Sequence, residues 1–565
     1  MTQPLILQRA VQSDIVAHLT AAGCIPLLAR IYAARGVTSA DDLDVAFTRL
    51  HPLAAMLNLG PMASHLADAI ASRASLLIVA DYDADGATAC AVGMRALRAF
   101  GAQVQYLVPN RFEYGYGLTP EIVRLAHTQF HPDVLITVDN GIASIEGVDE
   151  ANRLGMRVLV TDHHLPAERL PAAWCIVNPN QPGCPFPSKN LAGVGVMFYL
   201  MLALRAELRA RGKLEREPQM ASLLDLVALG TVADVVRLDA NNRVLVQQGL
   251  KRMRAGRMQP GVAALFRAAA RDPARASAYD LGFVLGPRLN AAGRLTDMAL
   301  GIECLVTDDA ARAQLIAVQL DALNRERRVI EADMQESALA AIGDEQGEAP
   351  ALTLFDAHWH QGVIGIVASR LKERFHRPVI AFARGIDGEI KGSGRSIPGL
   401  HLRDALDLVS KRHPGLILRF GGHAAAAGLT LREPDFEVFR SAFEATVRSL
   451  VTAADLERQI ETDGSLDLAD ATLDCGKAIA QGVWGQGFPE PRFFDDFQVT
   501  DQKIVGGRHT RLRLARAGRA FDAILFGSSE PVPSRIEAVY RLDVNEYNGS
   551  ETLQLTLHHW RATAS

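Results

Sequence analysis

Between residues 76 and 177 short β-rich runs alternate with stretches of helical periodicity, and no other feature restricts the chain so tightly. The runs are Leu76 to Ala80, Val104 to Val108, Val134 to Val138, Arg157 to Val160 and Cys175 to Val177. Such alternation predicts βαβ units and a parallel sheet, whose ligands bind beyond the carboxyl ends of the strands. Asp81 follows the first run, Asp139 the third and Asp162 the fourth. Three acidic clusters are therefore expected along one sheet edge.

The rest of the chain divides by texture. Residues 1–60 have mostly helical spacing and no obvious chemistry, as befits a cap. Residues 61–304 hold the alternating region and a helical stretch from 191 to 300, interrupted by Leu229-Gly230-Thr231 and Ala291-Ala292-Gly293. Residues 305–345 are Ala-, Glu- and Arg-rich without proline and predict one long connecting helix. A second α/β pattern occupies 346–455, with strands at Ala351 to Phe355 and Val379 to Ala383. Across 456–565 short alternating runs, including Thr510 to Leu514 and Thr552 to Leu557, predict a small β-barrel.

A length of 565 residues allows several buried cores. The six scattered cysteines form no C-x-x-C pair, which argues against a zinc knuckle or disulfide framework and fits a reducing compartment. No run of 18 apolar residues and no basic-then-apolar leader is present, so a cytoplasmic protein with no membrane partner is expected. At net charge -5, any polyanion must be met by local patches and metal ions rather than by a global field.

Asp81-Tyr82-Asp83-Ala84-Asp85-Gly86 is the sharpest local signal. An EF-hand loop opens the same way, but its twelfth position should be Glu and is Val92 here. A phosphoaspartyl nucleophile and a solvated acidic turn are the other readings of the hexapeptide alone. Val138-Asp139-Asn140-Gly141, Thr161-Asp162-His163-His164 and Thr231-Val232-Ala233-Asp234 change the balance. So many carboxylates on one edge repel one another unless cations compensate them, and carboxylates with imidazoles suit Mn²⁺ or Mg²⁺.

At these clusters the sequence resembles the DHH phosphoesterase superfamily, whose Asp-His-His motif is Asp162-His163-His164 here. It is most similar to the RecJ branch, bacterial single-strand-specific 5′ to 3′ DNA exonucleases. Pro109-Asn110-Arg111, the segment Gly286 to Arg294, His360 to Gly365 and Gly421-Gly422-His423 followed by Ala426-Ala427-Gly428 extend the likeness over nearly the whole chain. The resemblance implies an α/β multidomain fold: a parallel-sheet DHH domain, a long helix, a second α/β domain of DHHA1 type and a C-terminal OB-like β-barrel. It implies two Mn²⁺ ions, with Mg²⁺ as a substitute, on Asp83, Asp85, Asp139, His163 and Asp234. Asp81, Asp162 and His164 would serve catalysis, His164 by donating a hydrogen bond or proton near the phosphate.

The same resemblance implies a 5′-phosphate pocket, for which Arg111, Ser393 and Arg395 are candidates. Gly421, Gly422 and His423 would contact the scissile or adjacent phosphate, and Arg288, Asn290 and Arg294 would line the entry path on a Gly/Pro-interrupted segment. Tyr116, like Tyr114, would stack bases or pack. In Lys391-Gly392-Ser393-Gly394-Arg395-Ser396 the glycines would let backbone amides approach a phosphate, with a plain turn as the alternative. In the tail, Lys503, Arg508, Arg511, Arg513, Arg516 and Arg519 face only Asp501. Arg511 and Arg513 alternate with Leu512 and Leu514, an arginine face over a core face, with Phe521, Phe526 or Tyr547 as stacking partners for a strand.

The expected activity is thus release of 5′-mononucleotides from a free 5′ end of single-stranded DNA, in recombination and repair. Single-strand-binding protein and a RecQ-like helicase are the implied partners. A phosphodiesterase of short oligoribonucleotides or cyclic dinucleotides, and a non-catalytic repair scaffold, are the rival readings.

Overall fold

The computed structural model describes residues 3–110, 114, 117–214, 216–346, 349–547 and 549–563. The chain forms two compact units, one of Met1–Leu7 with Ala322–Glu461, the other of Gln8–Asp321 with Thr462–Ser565. Strand β1 (Leu5–Gln8) opens the chain, and β2 (Ser75–Ala80), β3 (Gln103–Leu107), β4 (Val134–Val138), β5 (Arg157–Thr161) and β6 (Cys175–Val177) build an all-parallel sheet in the order β3-β2-β4-β5-β6. From β2 the chain moves to one side to form β3 and then returns past β2 to form β4 on the other. Such a reversal opens a crevice beyond the carboxyl ends of β2 and β4, where a doubly wound sheet binds its ligand. Both strands are buried along nearly their whole length, as expected for a sheet covered by helices on both faces.

The helices on this sheet pack closely enough to need glycine. Gly230 and Gly293 do not interrupt helices, contrary to the sequence expectation: they lie inside the helices Leu224–Ala233 and Gly286–Leu295. A Cβ at Gly230 would lie 2.1 Å from Thr88 Oγ1, and one at Gly293 2.0 Å from the Tyr82 carbonyl oxygen. The glycines therefore report close helix approach, and Arg288, Asn290 and Arg294 stand on a regular helix with Pro287 in its first turn.

The helix Ala310–Gln346 is continuous over 37 residues. In the first unit, β7 (Leu352–Asp356), β8 (Val379–Arg384), β9 (Glu389–Arg395), β10 (Arg419–Gly422) and β11 (Ala426–Arg432) form a mixed sheet in the order β10-β11-β9-β8-β7. β12 (Gln459–Thr462) pairs with β1. In the second unit, β13 (Phe493–Val505), β14 (His509–Arg516), β15 (Arg519–Leu525), β16 (Arg535–Tyr547) and β17 (Ser550–Ala562) close into a barrel, with β15 and β17 parallel and the other pairs antiparallel. Leu27 and Ile31, on the helix Pro26–Ala33, enter the barrel's hydrophobic core beside Leu512, Leu514 and Phe521. Arg35, just past that helix, makes a bidentate pair with buried Asp463 at 2.7 and 3.0 Å. The N-terminal residues thus include part of the barrel's packing.

Candidate metal centre

Each acidic group is fixed by local backbone chemistry before any ion is considered. Asp83 caps the helix Ala84–Ala99, its Oδ1 accepting the N–H groups of Asp85 and Gly86 at 2.9 and 3.0 Å. Gly86 has no alternative, because a Cβ there would lie 2.6 Å from the Asp81 carbonyl oxygen. Asp85 is fully buried, and its two oxygens accept from Gly193 N (2.6 Å) and Val194 N (2.8 Å) at the start of the helix Gly193–Ala210. A helix N-terminus favours negative charge there. Asp139 ends β4 with φ of +62°, a conformation that non-glycine residues adopt only where the surroundings impose it.

The side chains converge. Asp139, His163 and His164 form one group with ligand atoms within 4.8 Å of one another; Asp85, His163 and Asp234 form a second; Asp81, Asp83 and Asp139 form a third. His163 Nε2 lies 3.0 Å from Asp139 Oδ1, 3.5 Å from Asp234 Oδ2 and 4.0 Å from Asp85 Oδ2. Yet His163 Nε2, Asp139 Oδ1 and Asp234 Oδ2 are all buried without a hydrogen-bond partner. Buried polar atoms are nearly always paired, so three orphans facing one another mark a place built for something else. Oxygen and imidazole donors in this number fit Mn²⁺ or Mg²⁺.

The electrostatics agree. Burial first, and then Asp234, push Asp85 up to about 8. Burial and Asp83 push Asp234 up to about 7, and burial with the Asp85 charge holds Asp139 well above the usual carboxylate range. Burial holds His163 below its usual value, which keeps the ring neutral and able to offer a lone pair to a metal. A divalent cation among these groups reverses the penalty, because it supplies the charge they lack.

Asp162 differs from the other acids. Its Oδ2 accepts from Ile142 N (2.9 Å), and its Oδ1 accepts from His163 N (2.7 Å) and His164 N (3.1 Å) and lies 2.7 Å from His164 Nδ1. Burial would raise its pKa, but the His164 hydrogen bond, the charges of His164 and His163 and the Ile142 N–H together outweigh burial and lower it. Burial would lower His164, yet Asp162 and the surrounding acids push it up to about 9. His164 is 45% exposed, so an imidazolium held by Asp162 reaches solvent. Two asparagines that the sequence reading missed hold this turn: Asn178 Nδ2 donates to the His164 carbonyl (2.9 Å) and Asn180 Nδ2 to the His163 carbonyl (2.6 Å). Their only sequence signal is position, just after a fifth strand.

Among the expected substrate-binding residues, Asn290 lies beside the centre, its Oδ1 accepting Ala84 N–H at 2.8 Å. Arg288 pairs through Nε and Nη2 with Asp321 at 3.0 and 2.8 Å, and Arg294 is partly exposed at the end of the same helix. Arg111 and Tyr116 lie outside the described residues; Tyr114 packs on the sheet core.

Ser393 and Arg395 belong to the other unit. The segment Lys391 to Arg395 is neither a phosphate loop nor a turn: it is β9, paired with β8 on one side and β11 on the other, so its backbone serves the sheet. Its glycines make room, since a Cβ at Gly392 would lie 2.5 Å from the Phe382 ring. Arg395 Nη1 donates to Ser393 Oγ (3.1 Å) and the Gly394 carbonyl (2.8 Å), and burial holds its pKa below the usual guanidinium value. Gly365, in the first turn of the helix Ile364–Phe375, approaches the pair so closely that a Cβ would lie 2.8 Å from Ser393 Oγ. A half-buried guanidinium, a hydroxyl and a helix N-terminus stand together here, donors of the kind that suit an anion. Gly421, Gly422 and His423 are exposed at the β10–β11 turn, where Gly422 takes φ of +139°.

On the barrel, Arg511 and Arg513 are 62% and 46% exposed beside Asp522, over buried Leu512 and Leu514. Arg516 and Arg519 are not on that face: they donate to the carbonyls of Leu466, Leu468 and Ala471. Phe521 is a core residue rather than a stacking partner, Phe526 is exposed, and the Tyr547 side chain lies outside those described.

Three family models match the chain: the N-terminal domain of the DHH family over residues 75–231, the DHHA1 domain over 348–449 and the RecJ OB domain over 462–559. A single-stranded-DNA-specific exonuclease RecJ of Dickeya dadantii is 50% identical, covering 94% of this chain and 95% of the relative, and one of Escherichia coli is 47% identical with the same coverage. The crystal structure of RecJ in complex with Mn2+ from Thermus thermophilus superposes with a TM-score of 0.84 at 30% identity, covering 99% of this chain and 80% of that one. With its acidic centre at the switch point of a parallel sheet, and likeness along nearly its full length, the chain belongs to the RecJ family of DHH phosphoesterases.

Proposed function

We propose that this chain is a single-stranded-DNA-specific exonuclease that hydrolyses from the 5′ end to 5′-mononucleotides. The observation that carries the reading is the set of orphaned ligand atoms on Asp139, His163 and Asp234, inside a ring of carboxylates that only cations balance. Asp83, Asp85, Asp139, His163 and Asp234 would hold two Mn²⁺ ions, with Mg²⁺ as a substitute. Such ions, when bound, neutralise phosphate charge and acidify water for in-line attack. Asp81 completes the acidic ring. Asp162 orients His164, and the His164 imidazolium donates to a phosphate oxygen from the exposed side.

Ser393, Arg395 and the N-terminus of the helix Ile364–Phe375 are suited to a terminal 5′-phosphate, and Gly421, Gly422 and His423 to a neighbouring phosphate; Arg111 is inferred as a phosphate donor from the resemblance alone. Arg511 and Arg513 are suited to the strand's backbone, as Arg288, Arg294 and Tyr116 are to its entry. Asn290 lies on the same helix as Arg288 and Arg294, and its oxygen in addition holds the loop that carries Asp83. Among the described residues no helix is long and apolar enough to cross a membrane. A cytoplasmic role in recombination and repair, beside single-strand-binding protein and a RecQ-like helicase, is the setting we infer from the resemblance.

The test is a Mn²⁺ time course on internally labelled single-stranded DNA with phosphorylated or blocked 5′ ends, beside matched RNA and blunt duplex. Mononucleotide release from free 5′ ends of DNA, absent in Asp139→Ala, is the expected result. Cleavage confined to oligonucleotides of a few residues would replace this reading with the small-substrate one.

A further inference from the structure

Tyr279 and Phe283 are 52% and 72% exposed, and their rings stack on each other with centroids 5.0 Å apart and planes 26° apart. Two large apolar faces are left in water, which marks a contact surface when they lie together. The fold holds them in one place. Residues Asp280–Leu285 form a π-helical turn directly before the helix Gly286–Leu295, and such turns recur at functional sites. Asp280 Oδ2 anchors the turn by accepting from Ser277 N (2.9 Å) and Ser277 Oγ (2.7 Å).

The turn leans on the end of the helix that delivers a proposed metal ligand. A Cβ at Gly282 would lie 3.2 Å from Val232 Cγ1, and one at Gly286 would lie 3.0 Å from Ala233 Cβ. Val232 and Ala233 lead directly into Asp234, and Val235 beyond it is 64% exposed at φ of +62°. The aromatic pair and the acidic centre are therefore joined through one packed contact, the turn against the helix end that carries Asp234. One partly exposed guanidinium stands beside the turn, Arg271 at 3.8 Å from Asp280, whereas Arg288 is held by Asp321 and the Val284 carbonyl.

We propose that Tyr279 and Phe283 form a stacking platform for bases of the single strand approaching the metal centre. This rests on the exonuclease reading above and names a contact it leaves open. Flat aromatic faces bind bases whatever their sequence, and this pair stands on a turn packed against the helix that leads into Asp234. An apolar protein partner would use the rings but would not distinguish a base-bearing strand from an abasic one.

The test measures, by fluorescence anisotropy, binding of a deoxythymidine oligomer and an abasic oligomer of equal length to the full chain carrying Asp139→Ala, with and without Tyr279→Ala and Phe283→Ala. The expected result is a loss of roughly 5- to 150-fold per stacked base for the thymidine oligomer and no change for the abasic one. Tyr279→Leu with Phe283→Leu keeps apolar cover over the turn and is expected to behave like the alanine pair. Equal losses on both oligomers, or undiminished binding by the leucine pair, would overturn the platform. A wild-type chain that cuts no single-stranded DNA would sink the exonuclease reading instead, so the two failures are distinguishable.

Discussion

Asp463, beneath the barrel, and Asp139, at the sheet edge, are 2% and 1% exposed, yet their surroundings are opposite. Asp463 receives both arms of Arg35 and the Arg492 N–H at 3.0 Å. Its neighbour Asp495, 7% exposed, receives Tyr540 Oη at 2.7 Å, Leu466 N at 3.1 Å and Arg516 at 2.8 Å. Asp139 Oδ1 receives no hydrogen bond, and the groups that raise its pKa after burial are Asp85, Asp83, Asp234 and Asp81. A buried charge costs several kcal/mol unless it is paired. The barrel's acids are compensated by the chain itself and serve the fold; at the sheet edge Asp139 Oδ1 and Asp234 Oδ2 have no such partner and are left for a cation.

If the distinction is sound, substitutions in the two regions should separate activity from stability. Asp139→Ala is expected to lower single-turnover cleavage by about 10³-fold or more. The melting temperature of the chelator-treated protein should stay equal or rise, since a repelling buried carboxylate is gone; a large fall would place Asp139 with the barrel acids.

Arg35→Ala should do the reverse. It leaves Asp463 only the more distant Arg9, at 3.5 Å, as a cation and should cost up to about 3–5 kcal/mol in denaturant unfolding. The fraction that stays folded should cleave at the wild-type rate.

Metal addition sharpens the contrast without mutation. Mn²⁺ at 100 times its Kd should stabilise the wild type by about 2.7 kcal/mol per bound ion, and Asp139→Ala by much less. The metal-free sign follows from Asp85 and Asp234. Their folded pKa values, about 8 and about 7, lie above the unfolded carboxylate value, so the folded state holds the extra protons. Stability of the metal-free chain should therefore fall as pH rises from about 4 through 8, and calorimetry at several pH values with Mn²⁺ present should show that fall flattened.

Asn290→Ala should cost about 10- to 100-fold in Mn²⁺ affinity measured by titration calorimetry, because it frees the loop of Asp83, while leaving strand binding in chelator nearly intact. The smallest effect belongs to the barrel surface. Arg511→Ala with Arg513→Ala should leave stability within about 0.5 kcal/mol. Each lost phosphate contact should reduce the salt slope of strand binding by about 0.7.

Much of the centre is legible in the residues because strand ends have a fixed geometry. An apolar run followed by an acid places that acid at the carboxyl edge of a parallel sheet, and Asp81, Asp83, Asp85, Asp139 and the Asp162 cluster are all found there. Glycines are harder to read. Lys391 to Arg395 was expected to be a phosphate loop and is a paired central strand, because Gly392 admits the side chains of Phe382 and of Leu429, the latter 37 residues further along the chain. Arginines are harder still. Arg511 and Arg516 look alike in sequence, but one faces solvent and the other is engaged by Leu466, fifty residues upstream.

The sequence by itself determined the parallel sheet, the long helix, the barrel and the identity of the acids, because hydrophobic period and residue chemistry are local properties. Only the tertiary structure decided which acids are left unsatisfied, which arginines remain available and that Asn290 braces the loop. Those depend on partners brought together from far along the chain, and a hydrogen bond made or missed at about 3 Å is not written in the spacing of either residue.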